Sequence, residues 1–488
     1  MTWNLRSKVC IVGSGFCGYA AYKKLKKNNL DLILVEGGDV ISPKSEKQQP
    51  SYKVKTNNYL KTNIEKRLKN MLDVSFRDRK FTLGGSSTCW SGYIKPFEKS
   101  TYDNYFKGIE NQRWGTLRLD KYNKEILSLL NSPTFDFSPE SISKKTNSEL
   151  PNLPEGFEFT TYAWAESPLR LKSFWIKRLK NKTKDQKDVI SGYRLTDFKI
   201  NKDKLIGLIF KNKEGKTLFI ESEYFMFCMG GIENARFTKK LFESIGKYPL
   251  NKGNLCNFQE HPHLFYLGGF NRGENTLPKI ITHGIKVSPS LHNSFNKKGK
   301  IIINFKAWAG IGTPKVSFRI KENKIKLKNG IKNILKGLLK RNIIPNSDYF
   351  IVMRCEQTPN KQSYLKFESN KTSLNWNIIE EDFSHYSDYL RKLTSYLILN
   401  KYAKDFSLRN NAIKGEAIPN SVNGGAHHMG TVPYDINNNL INEKFVLTDF
   451  KNTYVVGSSA FPTSGFENPT HAAMCTALIA AEDILQRI

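Results

Sequence analysis

Long hydrophobic runs are missing from this chain. No stretch approaches the roughly 18–20 uninterrupted apolar residues that a membrane-spanning helix needs. The polar start, residues 1–8, is also too short for a signal peptide before the first apolar run begins at Val9. A cytoplasmic setting is therefore the expectation. Cysteine is sparse and unpatterned. The seven residues, at 10, 17, 89, 228, 256, 355 and 475, include no C-x-x-C pair, which argues against a disulfide framework and a zinc site. Cys10, Cys17, Cys228 and Cys475 lie inside apolar runs, where a free thiol behaves as a small hydrophobe. The histidines 261, 263, 427 and 428 have no cysteine or carboxylate ligands at recurrent spacing, so no metal is expected.

Negative charge is in deficit. Asp and Glu number 45 against 76 Lys and Arg, a formal net charge of +31. The excess is lysine, 59 against 17 arginines, and it is spread along the whole chain. A nucleic-acid surface gathers arginine and aromatics on one element, so no nucleic-acid partner is expected. One basic segment stands apart. In Leu327–Leu339 the residues Leu327, Ile331, Ile334, Leu335, Leu338 and Leu339 recur at helical spacing, flanked by Lys328, Lys332, Lys336 and Lys340. A surface helix packed on the core and a helix lying on an anionic membrane both fit this pattern, although Gly330 and Gly337 weaken the helix.

What is present begins with size: 488 residues, 39% hydrophobic and 12% aromatic, enough for two or three packed domains. Residues 8–36 read as a buried strand, Val9–Val12, then G-x-G-x-x-G from Gly13, Gly15 and Gly18. A helix follows, and a second strand, Leu32–Val35, ends at Glu36. Gly13 permits the tight turn, Gly15 lets the backbone approach a pyrophosphate, and Gly18 lets helix and strand pack closely. The helix N-terminus attracts the phosphate charge. Glu36 is placed to accept hydrogen bonds from the ribose of an adenosine and disfavours a 2′-phosphate. A second glycine- and hydroxyl-rich turn, TLGGSSTCWSG at 82–92, has no use in a nicotinamide enzyme. It suits a longer cofactor whose flavin ring is held away from the first turn.

The carboxyl end carries GGAHHMGT at 424–431 and VVGSSAFPTSGFENPT at 455–470. Together they resemble the paired signatures of the glucose–methanol–choline (GMC) oxidoreductase family. GGSSTCWSG at 84–92 resembles that family's flavin-contacting loop, in the form seen in its pyranose oxidase-like branch. GGIENARF at 230–237 and NFQEHPH at 257–263 agree in order. The resemblance implies FAD as the cofactor, held by Gly13, Gly15, Gly18, Glu36, Gly84, Gly85, Ser86, Ser87, Cys89, Trp90, Gly457, Ser458, Ser459, Asn468, Pro469 and Thr470. It also implies His427 as the catalytic base and Asn468 as its polar partner. A small-molecule alcohol or sugar would be oxidised at a CH–OH group, with hydride passing to the flavin and on to an electron acceptor. Some relatives carry a flavin-linked histidine where Cys89 falls, and a cysteine could form a thioether, but non-covalent FAD is the ordinary case. The family's usual Arg-Met pair is replaced by Val432, Pro433 and Tyr434, and His471 stands where relatives are apolar. Two other readings stand beside oxidation: a flavin-using isomerase or lyase, and a degenerate flavin-fold binding protein.

The implied fold is α/β, with a doubly wound, discontinuous Rossmann-like FAD domain and an α+β substrate domain carrying an antiparallel sheet. The expected division is 1–115, 185–265 and 420–488 for the FAD domain, 116–184 for a cap segment, and 266–419 for the substrate domain. The alternating runs Lys300–Ala307 and Lys315–Ile320 read as strands of the latter sheet. Gln48–Asn70 reads as a polar insertion over the cofactor or the entrance. The membrane reading of Leu327–Leu339 predicts that changing its lysines to glutamine abolishes sedimentation with anionic liposomes; unchanged binding rules it out.

Overall fold

The computed structural model describes residues 2–39, 52–56, 80–90, 92–97, 116–132, 152–155, 157–161, 163–164, 171–180, 188–247, 255–264, 268–275, 283–287, 301–307, 349–368, 371–408, 422–434 and 440–488. The segments Leu327–Leu339 and Lys315–Ile320 lie outside the described residues, as does most of Gln48–Asn70.

The two apolar runs of the nucleotide motif become β1 (Thr2–Val12) and β2 (Leu32–Glu36). They belong to an eight-stranded sheet with β3 (Val189–Ser191), β4 (Arg194–Asn201), β5 (Lys204–Lys211), β6 (Thr217–Phe227), β7 (Val446–Leu447) and β8 (Phe450–Val455). The order β7-β8-β6-β1-β2-β3 has a parallel core from β8 to β3, with β5 and β4 folded antiparallel onto β6. Parallel strands are joined by crossovers that cover both faces of a sheet, so their strands are buried throughout. Val9–Val12 and all of β2 show this burial. The crossover between β1 and β2 is α1 (Phe16–Lys27), while α2 (Gly230–Ser244) follows β6 and α3 (Thr470–Arg487) ends the chain. The last helix is apolar around most of its circumference, as a core helix must be, and packs on α1.

The first strand starts earlier than its apolar run. Thr2–Ser7 pair with Thr217–Ser222, and the ion pairs Arg6–Glu221 (3.4 Å) and Lys8–Glu223 (2.8 Å) cross the ladder. Polar residues are tolerated there because cross-strand charges complement one another.

A second sheet is antiparallel. Its strands run in the order Ala403–Leu408, Gly268–Arg272, Tyr349–Cys355, Ile301–Ala307, His283–Val287, Phe157–Thr161, with Pro262–Leu264 bridging Tyr349–Cys355 and Val422–Gly424. The strand expected at Lys300–Ala307 is present as Ile301–Ala307. A smaller sheet joins Leu255–Cys256, Tyr364–Glu368, Lys371–Trp376 and Tyr52–Thr56, the last drawn from within the segment read as an insertion.

His471 faces inward from the first turn of α3 and is fully buried. Its Nε2 lies 3.2 Å from Asn123 Oδ1 and its Nδ1 3.7 Å from Cys475 Sγ. Burial pulls its pKa from 6.5 down to about 3. The unfolded chain takes up this proton near pH 6.5 and the folded chain only near 3, so its contribution is complete above 6.5 and lost as the pH falls through that window. We expect stability to fall on acidification by up to about 1.4 kcal/mol per pH unit from this group. Thermal unfolding followed against pH should show a flatter acid limb in His471→Leu, and an unchanged slope would refute the assignment.

Candidate active site

Parallel strands bring their carboxyl ends to one edge of the sheet, where a ligand crevice forms. Here β1 runs into Gly13, β2 ends at Glu36, β6 leads to Cys228–Gly230 and β8 to Gly457, and all of these line one cavity of about 840 Å³. The ladder continues to that edge through Gly13 N donating to Val35 O (2.8 Å), Cys228 N to Val12 O (2.8 Å) and Val456 N to Phe227 O (3.1 Å).

The glycines of the first turn divide their tasks. Gly13 has φ +103°, and a Cβ there would lie 2.6 Å from Cys228 O. A Cβ on Gly18 would lie 1.9 Å from Gly13 O, so this glycine serves the helix–strand approach and does not line the cavity. A Cβ on Gly15 would meet nothing within 4 Å; the space beside it is open cavity, a cradle that a side chain would fill. Buried Glu36 accepts from Ser14 N (2.9 Å) and Ser14 Oγ (2.7 Å) on Oε2, and from Gly38 N (2.7 Å) on Oε1. Burial pushes this carboxyl's pKa up, against those three bonds.

Ser14 and Trp175 were not legible as site residues. The Ser14 hydroxyl also accepts from Gly84 N (2.8 Å), so it couples the first glycine turn to the second loop, and Trp175 Nε1 donates to Ser14 O (2.8 Å). The place of Ser14 inside G-x-G was its only signal, and Trp175 had none. In the second loop a short 3₁₀ turn, Gly85–Cys89, brings Gly85, Ser86, Ser87, Cys89 and Trp90 to the cavity. Gly84 stays behind them, tied to Ser14. Cys89 is exposed and its Sγ donates to Ser86 O (3.2 Å), while Trp90 meets Phe16 edge-on at 5.0 Å.

The carboxyl-terminal motifs complete the lining with His427, His428, Gly457, Ser458, Asn468, Pro469 and Thr470. Ser458 Oγ donates to His428 O (2.7 Å), and Gly430 N donates to Ser458 O (3.0 Å), which holds the two motifs together. Ser459 lies outside the lining; its hydroxyl accepts from Asn234 Nδ2 (2.8 Å). Val432 and Tyr434, in place of the family's Arg-Met pair, donate their N–H groups to Ser459 O and Ala460 O (2.8 and 2.9 Å) and are buried. Helices α1, α2 and α3 all start at the cavity with no side-chain N-cap, so their positive ends face whatever occupies it.

His427 is held by the segment 257–264. Gln259 N donates to Met429 O (3.0 Å), Met429 N to Gln259 O (2.9 Å), and Gly425 N to His261 O (3.1 Å). Glu260, 1% exposed, accepts His427 N on both oxygens (2.8 and 3.0 Å) and His261 N on Oε1 (2.8 Å). Ala426, just before His427, has φ +60°, a strained value for a residue with a Cβ. The rings of His261 and His427 meet with Nδ1 to Nδ1 at 2.8 Å, and His261 Nε2 lies 3.0 Å from Ser464 O. In the sequence Glu260 and His261 stand out only within the stretch NFQEHPH at 257–263, and His261 as one of the histidines set aside as metal ligands; neither carries a role beside His427 there.

Residues 362–477 match the family model described as GMC oxidoreductase. No curated protein matches the chain by sequence. The fold is similar to pyridoxine 4-oxidase from Mesorbium loti, at 13% identity and a TM-score of 0.62, covering 98% of this chain and 99% of that one. It is also similar to formate oxidase, at 14% identity and a TM-score of 0.62, covering 100% and 99%. A variant of Aspergillus oryzae RIB40 formate oxidase, studied for its effect on FAD modification, gives 13% identity and a TM-score of 0.61 over 100% and 99%. The resemblance to GMC oxidoreductases is thereby borne out over residues 362–477, and the mixed α/β fold over the chain.

Replacing Glu260 by Gln puts an amide N–H against a backbone N–H that now points at a carboxylate oxygen. The variant should unfold with a loss of about 2 kcal/mol, the usual worth of hydrogen bonds to a charged group. Denaturant titration reads this, and a midpoint equal to wild type would contradict the anchoring role.

Proposed function

We propose that this chain, an FAD-dependent oxidoreductase of GMC type, oxidises a CH–OH group of a sugar, polyol or related alcohol, with His427 as base and Asn468 as hydrogen-bond donor. The observation that carries this reading is convergence. The first glycine turn, the Gly85–Trp90 loop, His427 and Asn468 come from distant parts of the chain and line one cavity.

The cavity suits a dinucleotide. Gly15 leaves room for a pyrophosphate, and the uncapped start of α1 offers it N–H donors. Glu36 reaches the cavity wall where an adenosine ribose would sit, and the Gly85–Trp90 loop with Gly457, Ser458 and Pro469 would hold the flavin. When bound, FAD supplies the acceptor for the hydride that leaves the substrate carbon. His427 takes the hydroxyl proton, work for which an imidazole is suited near neutrality. The Asn468 side chain is 8% exposed and faces the cavity, placed to donate to the substrate oxygen as negative charge develops there. Thr470 opens α3 beside it, and the helix terminus favours that charge further.

The domain division follows the same logic. Segments 1–115, 185–265 and 420–488 would supply the FAD domain around the parallel sheet, and 266–419 the substrate side around the antiparallel one. Of the expected cap, 116–184, Phe157–Thr161 joins that antiparallel sheet. Thr116–Leu129 and Leu171–Lys180 instead pack on the nucleotide side, where Tyr122 donates to Glu482 and Trp175 to Ser14 O. Pro262–Leu264 and Val422–Gly424 cross the division by joining the antiparallel sheet, and Tyr52–Thr56 and Leu255–Cys256 cross it by pairing with Lys371–Trp376 and Tyr364–Glu368.

Anaerobic addition of the right sugar or polyol should bleach the flavin bands near ~450 nm. His427→Ala should keep its FAD and slow that bleaching by about 10²–10⁴-fold, the usual worth of a general base. Acid precipitation should leave the yellow colour in solution, the ordinary case of non-covalent FAD; colour in the pellet would mean a covalent link and point to Cys89. A colourless protein that FAD does not reconstitute would sink the reading in favour of a binding protein, and conversion without net flavin reduction would favour an isomerase or lyase.

A further inference from the structure

We propose that His261 is a positioning residue that fixes the tautomer of His427, placing the proton on His427 Nδ1 and the lone pair on its Nε2; this rests on the reading of His427 as the base.

The argument is a chain of forced choices. The Ser464 carbonyl can only accept a hydrogen bond, and His261 Nε2 lies 3.0 Å from it, so His261 carries its proton on Nε2. A neutral imidazole then has a lone pair on Nδ1. That atom is 2.8 Å from His427 Nδ1, and two nitrogens at this distance share one proton. The proton therefore belongs to His427 Nδ1, and the lone pair of His427 falls on Nε2, the atom that takes a proton from an alcohol.

The neutrality that this requires has its own cause. His261 is 2% exposed, and desolvation pulls its pKa from 6.5 to about 4, with Arg354 adding to the effect. Near pH 7 it does not become an imidazolium with two N–H groups. Both rings are also fixed through their main chains. The Glu260 carboxylate accepts the N–H of each residue, and the Gln259–Met429 bridge sets the register that brings the rings together, 4.9 Å between centroids and 87° between planes. Without an Nδ1 acceptor His427 loses this preference for the Nδ1–H form, and the other tautomer has no lone pair on Nε2. The partner is a neutral ring, so it directs the proton without carrying a charge. The nearby Glu260 carboxylate can compensate the positive charge that His427 gains in turnover.

The test uses the holoenzyme labelled with ¹⁵N-histidine. Long-range ¹H–¹⁵N spectra near neutral pH, with the His427 signals identified by their loss in His427→Ala, should show the Nδ1–H tautomer. In stopped-flow flavin reduction, His261→Phe should slow the limiting rate on the order of 10- to 100-fold while half-saturation by substrate stays nearly unchanged. His261→Asn, whose side-chain oxygen falls near the lost Nδ1, should recover most of that rate. An Nε2–H tautomer at His427, or a Phe variant that reduces its flavin at the wild-type rate, overturns the proposal. The spectrum needs no change at His261, so it decides even where the Phe variant fails to fold. Failure of the base assignment looks different: His427→Ala then reduces its flavin unimpaired, which removes the positioning role as well.

Discussion

A single buried carboxylate holds the two halves of the site in register. Glu260 is 1% exposed, and a charge so placed is tolerated only when hydrogen bonds replace the lost water. Its partners are the backbone N–H groups of His261 and His427, which lie 166 residues apart. Those bonds do more than satisfy the charge. They fasten the segment leaving the parallel sheet to the segment returning to it, and they hold the strained turn at Ala426 that aims His427 into the cavity. Loss of the carboxylate would leave two buried donors unpaired, a cost borne by the backbone and not by one side chain.

The cofactor cradle depends on a different constraint, the edge where parallel strands end. Four of them finish at the same cavity because each strand is paired to its neighbour up to its last residue. The helices that follow β1 and β6, and the last helix after β8, start there with uncapped N-termini, so the sheet gathers partial positive charge from separate crossovers. This localised field matters more to an anionic cofactor than the net charge of +31, which is spread over the chain and screened by salt. The Ser14 hydroxyl completes the arrangement by joining Glu36 to the second glycine loop, so the two glycine-rich turns share one hydrogen-bonded frame.

Legibility in the sequence followed the distance over which each constraint acts. The turn at Gly13–Gly18 could be read directly, because its glycines are forced by contacts within a few residues and one neighbouring strand. Glu36 could be read from its place at the end of β2. His427 and Asn468 could not be derived from spacing and came only from resemblance, since their setting is made by segments hundreds of residues away. Trp175 left no local mark, and Glu260 and His261 were visible only as members of NFQEHPH; their roles come from partners brought in by the fold. The early start of β1 was hidden for a related reason. Its polar residues carry no strand signal until the complementary charges on β6 are placed opposite them.

The buried histidines tie the fold and the site to one lower pH limit. His471 stands in the first turn of α3, next to Thr470 at the cavity, and His261 lies against His427; both are held neutral by desolvation. Protonating either would put a charge on a desolvated ring: His471 meets an amide oxygen and a thiol, and the ring nitrogens of His261 meet a carbonyl oxygen and a ring nitrogen. For His261 the consequence is double. A second proton would destabilise the packing and would also turn its Nδ1 from acceptor to donor, against the N–H of His427. With His427 as the proposed base, the pH at which the pair loses its proton order is set by the same burial that holds the two segments together.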